Sequence, residues 1–452
     1  MLSKLNLNKT IFLLLLFQWL GSTAFSQSKL NQYLKESITN NLGLQNQEIS
    51  LEKSLFALKE AKGLFMPDVE LNTQYLASGG GRKIEIPIGD LLNPVYSSLN
   101  NLTNSQNFPA VSNVSQTFNP NNFYDAKVHT TLPIYNAEII YNSKIKKEQI
   151  TLQQAQLSVY KRELIKNVKV AYYEYYQSLQ ASKIFKNAIV LANENLKINR
   201  ALIKNGKAIR TVVSRAENEL TGLQAQYKDS ELKTLNAAAY FNFLLNKPLN
   251  SIIEFDENDV AKLSVGAKGA QKREELDVYA SAEKVNALAV RLNKSSAIPK
   301  LSTFLDVGAQ GDFLKVNDQS PYYLFGVTMT WQLFAGNRNR NKVQQASLEL
   351  KSAQNQTVQA EQQLQLEVTR AENNYQSSLQ YHQAAVSQTT LSKQYFNDEQ
   401  RLYKEGQAIY LELLDAQNRL LDDQLKESQA FLAVLTRSAE LERATASYVL
   451  NP

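Results

Sequence analysis

The phrase "IKNGKAIRTVVSRAENEL", from Ile203 to Leu220, returns from Tyr403 to Leu420 as "YKEGQAIYLELLDAQNRL". The match holds register well beyond the phrase. Leu164, Val168, Ala171, Tyr175 and Leu179 recur 200 positions later as Leu364, Val368, Ala371, Tyr375 and Leu379, as do Lys204, Gly206, Ala208, Ile209, Ala216, Asn218 and Leu220. A chain that says the same thing twice must fold into something built from two similar units. The apolar steps of 4, 3, 4 and 4 residues average about 3.75, above the 3.5 of a left-handed coiled coil, so nearly straight packed helices are expected.

Proline marks where those helices can lie. None occurs between Pro133 and Pro248 or between Pro321 and Pro452, and both tracts are rich in good helix formers. Each is interrupted near its middle by the glycine of the repeated phrase, Gly206 or Gly406, in a setting suited to a helix C-cap and turn. Two helical hairpins follow, with first limbs at 137–204 and 337–404, each near 100 Å at about 1.5 Å per residue.

Upstream of each hairpin, hydrophobicity alternates with period two. Val69, Leu71, Thr73 and Tyr75 oppose Asp68, Glu70, Asn72 and Gln74; Tyr124, Ala126, Val128, Thr130 and Leu132 oppose Asp125, Lys127, His129 and Thr131. Leu301, Thr303, Leu305 and Val307 repeat the pattern, as do Tyr323, Phe325, Val327, Met329 and Trp331. These are strands with one apolar and one wet face, at the length a tilted membrane strand needs. Residues 79–122 and those near 308–321 have loop composition, and the glycines at 79–81 lack the Lys-Ser/Thr of a phosphate loop. Shorter helices are expected at 29–62 and 273–296.

The first 26 residues combine Lys4 and Lys9, the run "IFLLLLFQWL" and small residues before a cut at Gln27. That run is half of the roughly 20 residues a spanning helix needs, so 1–26 reads as a secretory signal. The domain plan is then a first repeat at 27–248, a link at 249–272 and a second repeat at 273–452. The chain has no cysteine, which excludes disulfides and thiolate sites. A net charge of +6, from 49 basic and 43 acidic residues, gives no concentrated nucleic-acid footprint. Catalysis has no support: His129 lies on a strand's wet face, His382 lies within a long helix, and no metal-ligand or nucleophile motif stands out, so no cofactor is expected.

Four strands cannot close a barrel, for which about eight is the minimum, and an open edge in lipid leaves backbone groups unpaired. The chain must therefore oligomerise, and three copies would supply twelve strands. On the helix after the second turn, Glu412 and Asp415 lie three apart on one face. Spacing alone favours a solvated helix face beside a turn; stacked as rings in a trimer they would favour cations.

The pieces "MPDV", "IPKL", "MTWQLFAGNRNR", "REELDVYASAEKVNALA" and "EGQAIYLELLDAQNRL", spread over essentially the whole mature chain, resemble the TolC family of outer-membrane efflux channels. The fourth departs from the family's Arg-Pro-acid-Leu by having Glu274 at the proline position. The resemblance implies a homotrimer in the outer membrane of a Gram-negative bacterium. Its twelve-stranded barrel would continue as a helical tunnel across the periplasm, joined at its tips to a periplasmic adaptor and through it to an inner-membrane transporter. It implies acidic gate residues at Glu412 and Asp415, and a tip tyrosine at Tyr403. The family partners of that tyrosine are replaced here by Ala408 and Val212, so Arg210 or Arg215 is expected to pair with Glu412 or Asp415 instead. Gly206, Ala208, Ile209, Gly406, Ala408 and Ile409 are expected to seat the adaptor. The implied function is a passive exit duct for small-molecule efflux or type I secretion; the alternative is a non-conducting helical spacer or adhesin.

Overall fold

The computed structural model describes residues 28–119, 121–256, 258–261 and 272–448. The 1–26 leader and much of the 249–272 link lie outside the described residues. The elements are α1 (Lys29–Asn40), α2 (Leu42–Gly63), β1 (Asp68–Leu76), β2 (Lys83–Ile86), α3 (Ile88–Thr103), β3 (Val114–Thr117), β4 (Phe123–Tyr135), α4 (Ala137–Lys204) and α5 (Arg210–Leu244). They continue as α6 (Asn258–Ala261), α7 (Glu274–Lys294), β5 (Lys300–Asp312), β6 (Pro321–Thr330), α8 (Arg338–Glu405) and α9 (Tyr410–Ala444). The duplication is visible in the lengths: α4 and α8 have 68 residues each, and α5 and α9 have 35 each.

The chain divides into two compact units, one formed by the residues up to Ser54, Gln149–Glu283 and those from Ser352, the other by Leu55–Glu148 and Lys284–Lys351. The first unit is helical. Leu34, Leu44, Val168, Tyr172, Phe241, Leu245 and Leu435 form its main core, each large side chain contributing about 1.5–3 kcal/mol by burial. The expected single helix at 29–62 is two, because Asn41 breaks it. Its Oδ1 accepts from the Leu44 N–H at 3.0 Å, capping α2, while its Nδ2 donates to the Leu244 carbonyl at 2.9 Å.

The second unit holds an antiparallel sheet in the order β1-β4-β5-β6. Its register sets Leu71 opposite Val128, Val128 opposite Val307, and Val307 opposite Tyr323, so the four apolar sets share one face, as the alternation predicts. Most of that face is bare: Leu71 is 72% and Tyr323 79% exposed, with Val69, Phe325, Val327 and Met329 alike, while Tyr124 is buried. The other face is polar. Lys127 pairs with Asp306 at 2.9 Å, His129 Nδ1 contacts the same carboxylate, and the Tyr322 hydroxyl donates to Asp125 at 2.8 Å. Among the described residues no helix is long and apolar enough to cross a membrane.

The connection at 79–122 is not the plain loop its composition suggests. Between β1 and β4 it folds into the two-stranded β2–β3 ribbon with α3 between the strands. Asparagine, read from sequence as a loop former, here does the bonding. Asn93 exchanges two hydrogen bonds with the Val111 backbone at 3.0 and 2.8 Å, and Asn100 two with Phe108 at 2.8 and 3.1 Å. The glycine run and residues 104–113 between α3 and β3 stay irregular.

Candidate functional site

The repeated phrases form two turns of one design. In the first, the Lys207 N–H reaches the Leu202 carbonyl at 2.8 Å and the Gly206 N–H reaches Ile203 at 2.9 Å; in the second, Gln407 reaches Leu402 at 2.9 Å and Gly406 reaches Tyr403 at 3.1 Å. This double bond pattern requires a left-handed residue after the helix end. Gly206 (φ 70°) and Gly406 (φ 75°) supply it, where any side chain would be strained.

The turns are joined by a shared apolar cluster at that end of the unit. Leu196 of α4, Ala216 of α5, Phe396 and Tyr403 of α8, and Tyr410, Leu413, Ala416 and Leu420 of α9 are all buried there. Polar ties run through it. Asn195 Nδ2 donates to Gln417 Oε1 at 2.6 Å, and the Tyr403 hydroxyl donates to Asn199 Oδ1. Both asparagines are almost wholly buried, so these bonds are made without competition from water. Tyr403 thus bonds an asparagine of the first hairpin, a partner the sequence did not reveal. Burial pushes its hydroxyl above the usual tyrosine range. Burial first, then Glu219 and Tyr403, push Tyr410 up to about 12.

Glu412 and Asp415 are exposed on the first turns of α9. Glu412 Oε2 accepts from the Ile409 N–H at 3.0 Å, so it also caps the helix, one half of a capping box whose other half Ile409 cannot supply. Tyr395 marks the field these groups make. Burial first, then the negative charges of Glu399, Asp415 and Glu412, raise its hydroxyl pKa. Arg210 and Arg215 are exposed, and among the described residues neither forms an ion pair with Glu412 or Asp415 of the same chain; the ion pair at the first turn is Arg200–Glu217 at 2.7 Å. Between the turns lies a groove of about 650 Å³, its lining including Ala208, Ile209, Arg215, Gly406, Ala408 and Ile409. Five of the six expected docking residues therefore line one groove, and Gly206 immediately precedes its lining residue Lys207.

Further along the helices, the "REEL" motif opens an ion network. Arg273, almost fully buried, donates to Glu275 at 2.7 Å, to Glu367 at 2.7 Å and to the Ala444 carbonyl that ends α9. Arg443 also bonds Glu275, and Arg162 bonds Glu274. Burial would raise the Glu275 carboxyl, but Arg273 and Arg443 outweigh it and hold the value at about 2. Glu274, at the position where the family has proline, therefore has its own partner. His382 packs its ring against Phe431 with centroids 5.2 Å apart, and among the described residues no three His, Cys, Asp or Glu side chains gather to hold a metal.

Bare-faced strands joined to paired helical hairpins define the fold of outer-membrane channels, and solved structures bear this out. MtrE, an outer membrane channel of Neisseria gonorrhoeae in its open state, is similar with a TM-score of 0.73 at 15% identity, covering 92% of this chain and 88% of that one. VceC of Vibrio cholerae, an outer membrane protein, gives 0.72 at 14% over 92% and 95%; CusC, described for transmembrane channel formation, gives 0.75 at 12% over 92% and 92%. Among curated proteins none matches the sequence. Residues 270–447 match the outer membrane efflux protein family. That match lies in the second half of the chain, and the solved channels share the fold over more than nine-tenths of it. This family consists of channels, not enzymes.

Proposed function

We propose that three copies of this chain form a passive exit duct in the outer membrane of a Gram-negative bacterium. The duct would be the outer component of a tripartite export system, for small-molecule efflux or type I secretion. The observation that carries the reading is the sheet: four strands with a largely bare apolar face, a charged opposite face, and β1 and β6 each unpaired on one side among the described residues. Water penalises the first feature and lipid the third; insertion into lipid removes the first penalty, and closure with neighbouring copies removes the second. Exposed Val358, Leu366, Tyr381 and Leu391 along α8 support further contact between copies.

In this reading the joined turns are the periplasmic tip. Glu412 and Asp415 form the gate's acidic rings, Tyr403 holds the tip to the first hairpin, and the groove around Gly206, Ala208, Ile209, Gly406, Ala408 and Ile409 receives the adaptor, beyond which an inner-membrane transporter supplies energy. Arg210 and Arg215, unpaired with the gate acids inside one chain, are free to meet Glu412 or Asp415 of a neighbour. Outer-membrane fractionation followed by electrophoresis without heating tests the assembly. A trimer that resists SDS and collapses to monomer on boiling is expected; a soluble periplasmic monomer would reject the duct.

A further inference from the structure

We propose that the turn before β6 of one copy docks, through Phe313, Leu314 and Val316, onto the Leu91, Val95 and Leu102 stripe of α3 in the next copy, forming a collar at the outer rim. This rests on the ring closure just proposed.

Two bare patches motivate it. On α3, Asn93 and Asn100 hold one side of the helix to residues 108–111, while Leu91, Val95 and Leu102, at helical spacing along another side, are exposed, Leu102 by 82%. In the turn, Phe313, Leu314 and Val316 are equally bare, Val316 by 75%. The backbone makes this second patch unusual. The Lys315 N–H bonds the Asp312 carbonyl at 3.1 Å, and the two residues between have φ of 51° and 56°. Such a turn favours Asn-Gly, and Phe-Leu sits there against steric resistance. Local structure alone gives no reason for two large apolar residues at this point; a contact surface does.

Topology says what covers them. Leu76 is level with Phe123 and Phe123 with Asp312, so the α3 excursion and the Phe313–Leu314 turn leave the sheet at the same height. The excursion follows β1 and the turn precedes β6, the two opposite edges of the sheet. Closing a ring sets β6 of one copy beside β1 of the next and brings the two patches together. Membrane lipid is the poorer occupant, because α3 has no basic side chain and one acid, Asp90, whereas helices that lie on anionic lipid are basic.

The absence of native cysteine makes the test clean. In the full-length protein, Leu91→Cys with Leu314→Cys, treated with a flexible bismaleimide, should give covalent trimer that neither single variant gives. Thr73→Cys with Val327→Cys, on the two sheet edges, reports the ring itself. Linkage of the edge pair without the rim pair overturns the collar and keeps the ring. Linkage of neither removes both. Leu91→Cys linking alone would mean that α3 meets α3, which also overturns it. A second variant runs against local propensity: Phe313→Asn with Leu314→Gly eases the turn, yet should lower the temperature at which the SDS-resistant trimer falls apart. An unchanged or higher temperature rejects the proposal.

Discussion

The two tips share a backbone and differ in their side chains. Both turns use the same bond pair and the same glycine, and both are followed by Ala-Ile. From there the copies part: Arg210, Val212, Arg215 and Glu217 in the first stand where Tyr410, Glu412, Asp415 and Gln417 stand in the second. The first set is mostly solvated, while Tyr410 and Gln417 are buried and Glu412 caps its helix. Duplication preserves the residues that dictate backbone path and leaves the rest free to divide the work. The second tip anchors the pair and the first stays open.

If that division is right, truncation should be asymmetric. Leu413, fully buried, should lose about 2–5 kcal/mol on change to Ala; Val213→Ala, at the partly buried equivalent, should lose markedly less in the same chemical-denaturation experiment. Equal losses would break the comparison. Acid probes the ion network instead of the tips. Because the Glu275 carboxyl is depressed to about 2 from 4.5, its contribution, about 3 kcal/mol, is intact above pH 4.5 and lost as pH falls toward 2. A Glu275→Gln variant should be less stable at neutral pH and lose less in that window by the same denaturation assay. Tyr403→Phe removes the donor to Asn199 and should cost about 1–3 kcal/mol, read as a lower unfolding midpoint; Ile203, its counterpart, makes no such bond. The smallest effect is a gain. Val212→Glu should install the missing cap and stabilise the first hairpin by about 0.5–1 kcal/mol, and no gain would mean that the tips differ in backbone after all.

Much of this was legible in the sequence because it was written in periodicity and punctuation. The limbs expected at 137–204 and 337–404 are found at Ala137–Lys204 and Arg338–Glu405, since proline and glycine act locally. The strands were equally plain, because a register shared by four alternating segments puts every apolar set on one face. What the sequence hid depends on distant partners. Nothing in the sequence sets Asn195, Asn199 and Gln417 apart from other polar helix residues, and only packing between hairpins makes them buried ties. Asn93 and Asn100 fall in a segment of loop composition and Asn41 in an expected helix, and only their backbone partners show that the first two tie down α3 and the third caps α2. Glu412 was found for its charge, but its capping bond was not foreseen.

Single-channel recording in a planar bilayer tests the central claim most directly, comparing the native protein with Glu412→Ala plus Asp415→Ala. The account predicts a small cation-selective current in the native channel and a larger, less selective one in the double variant. A native pore indifferent to the change would move the gate away from the second tip, and a folded trimer with no pore at all would contradict the duct.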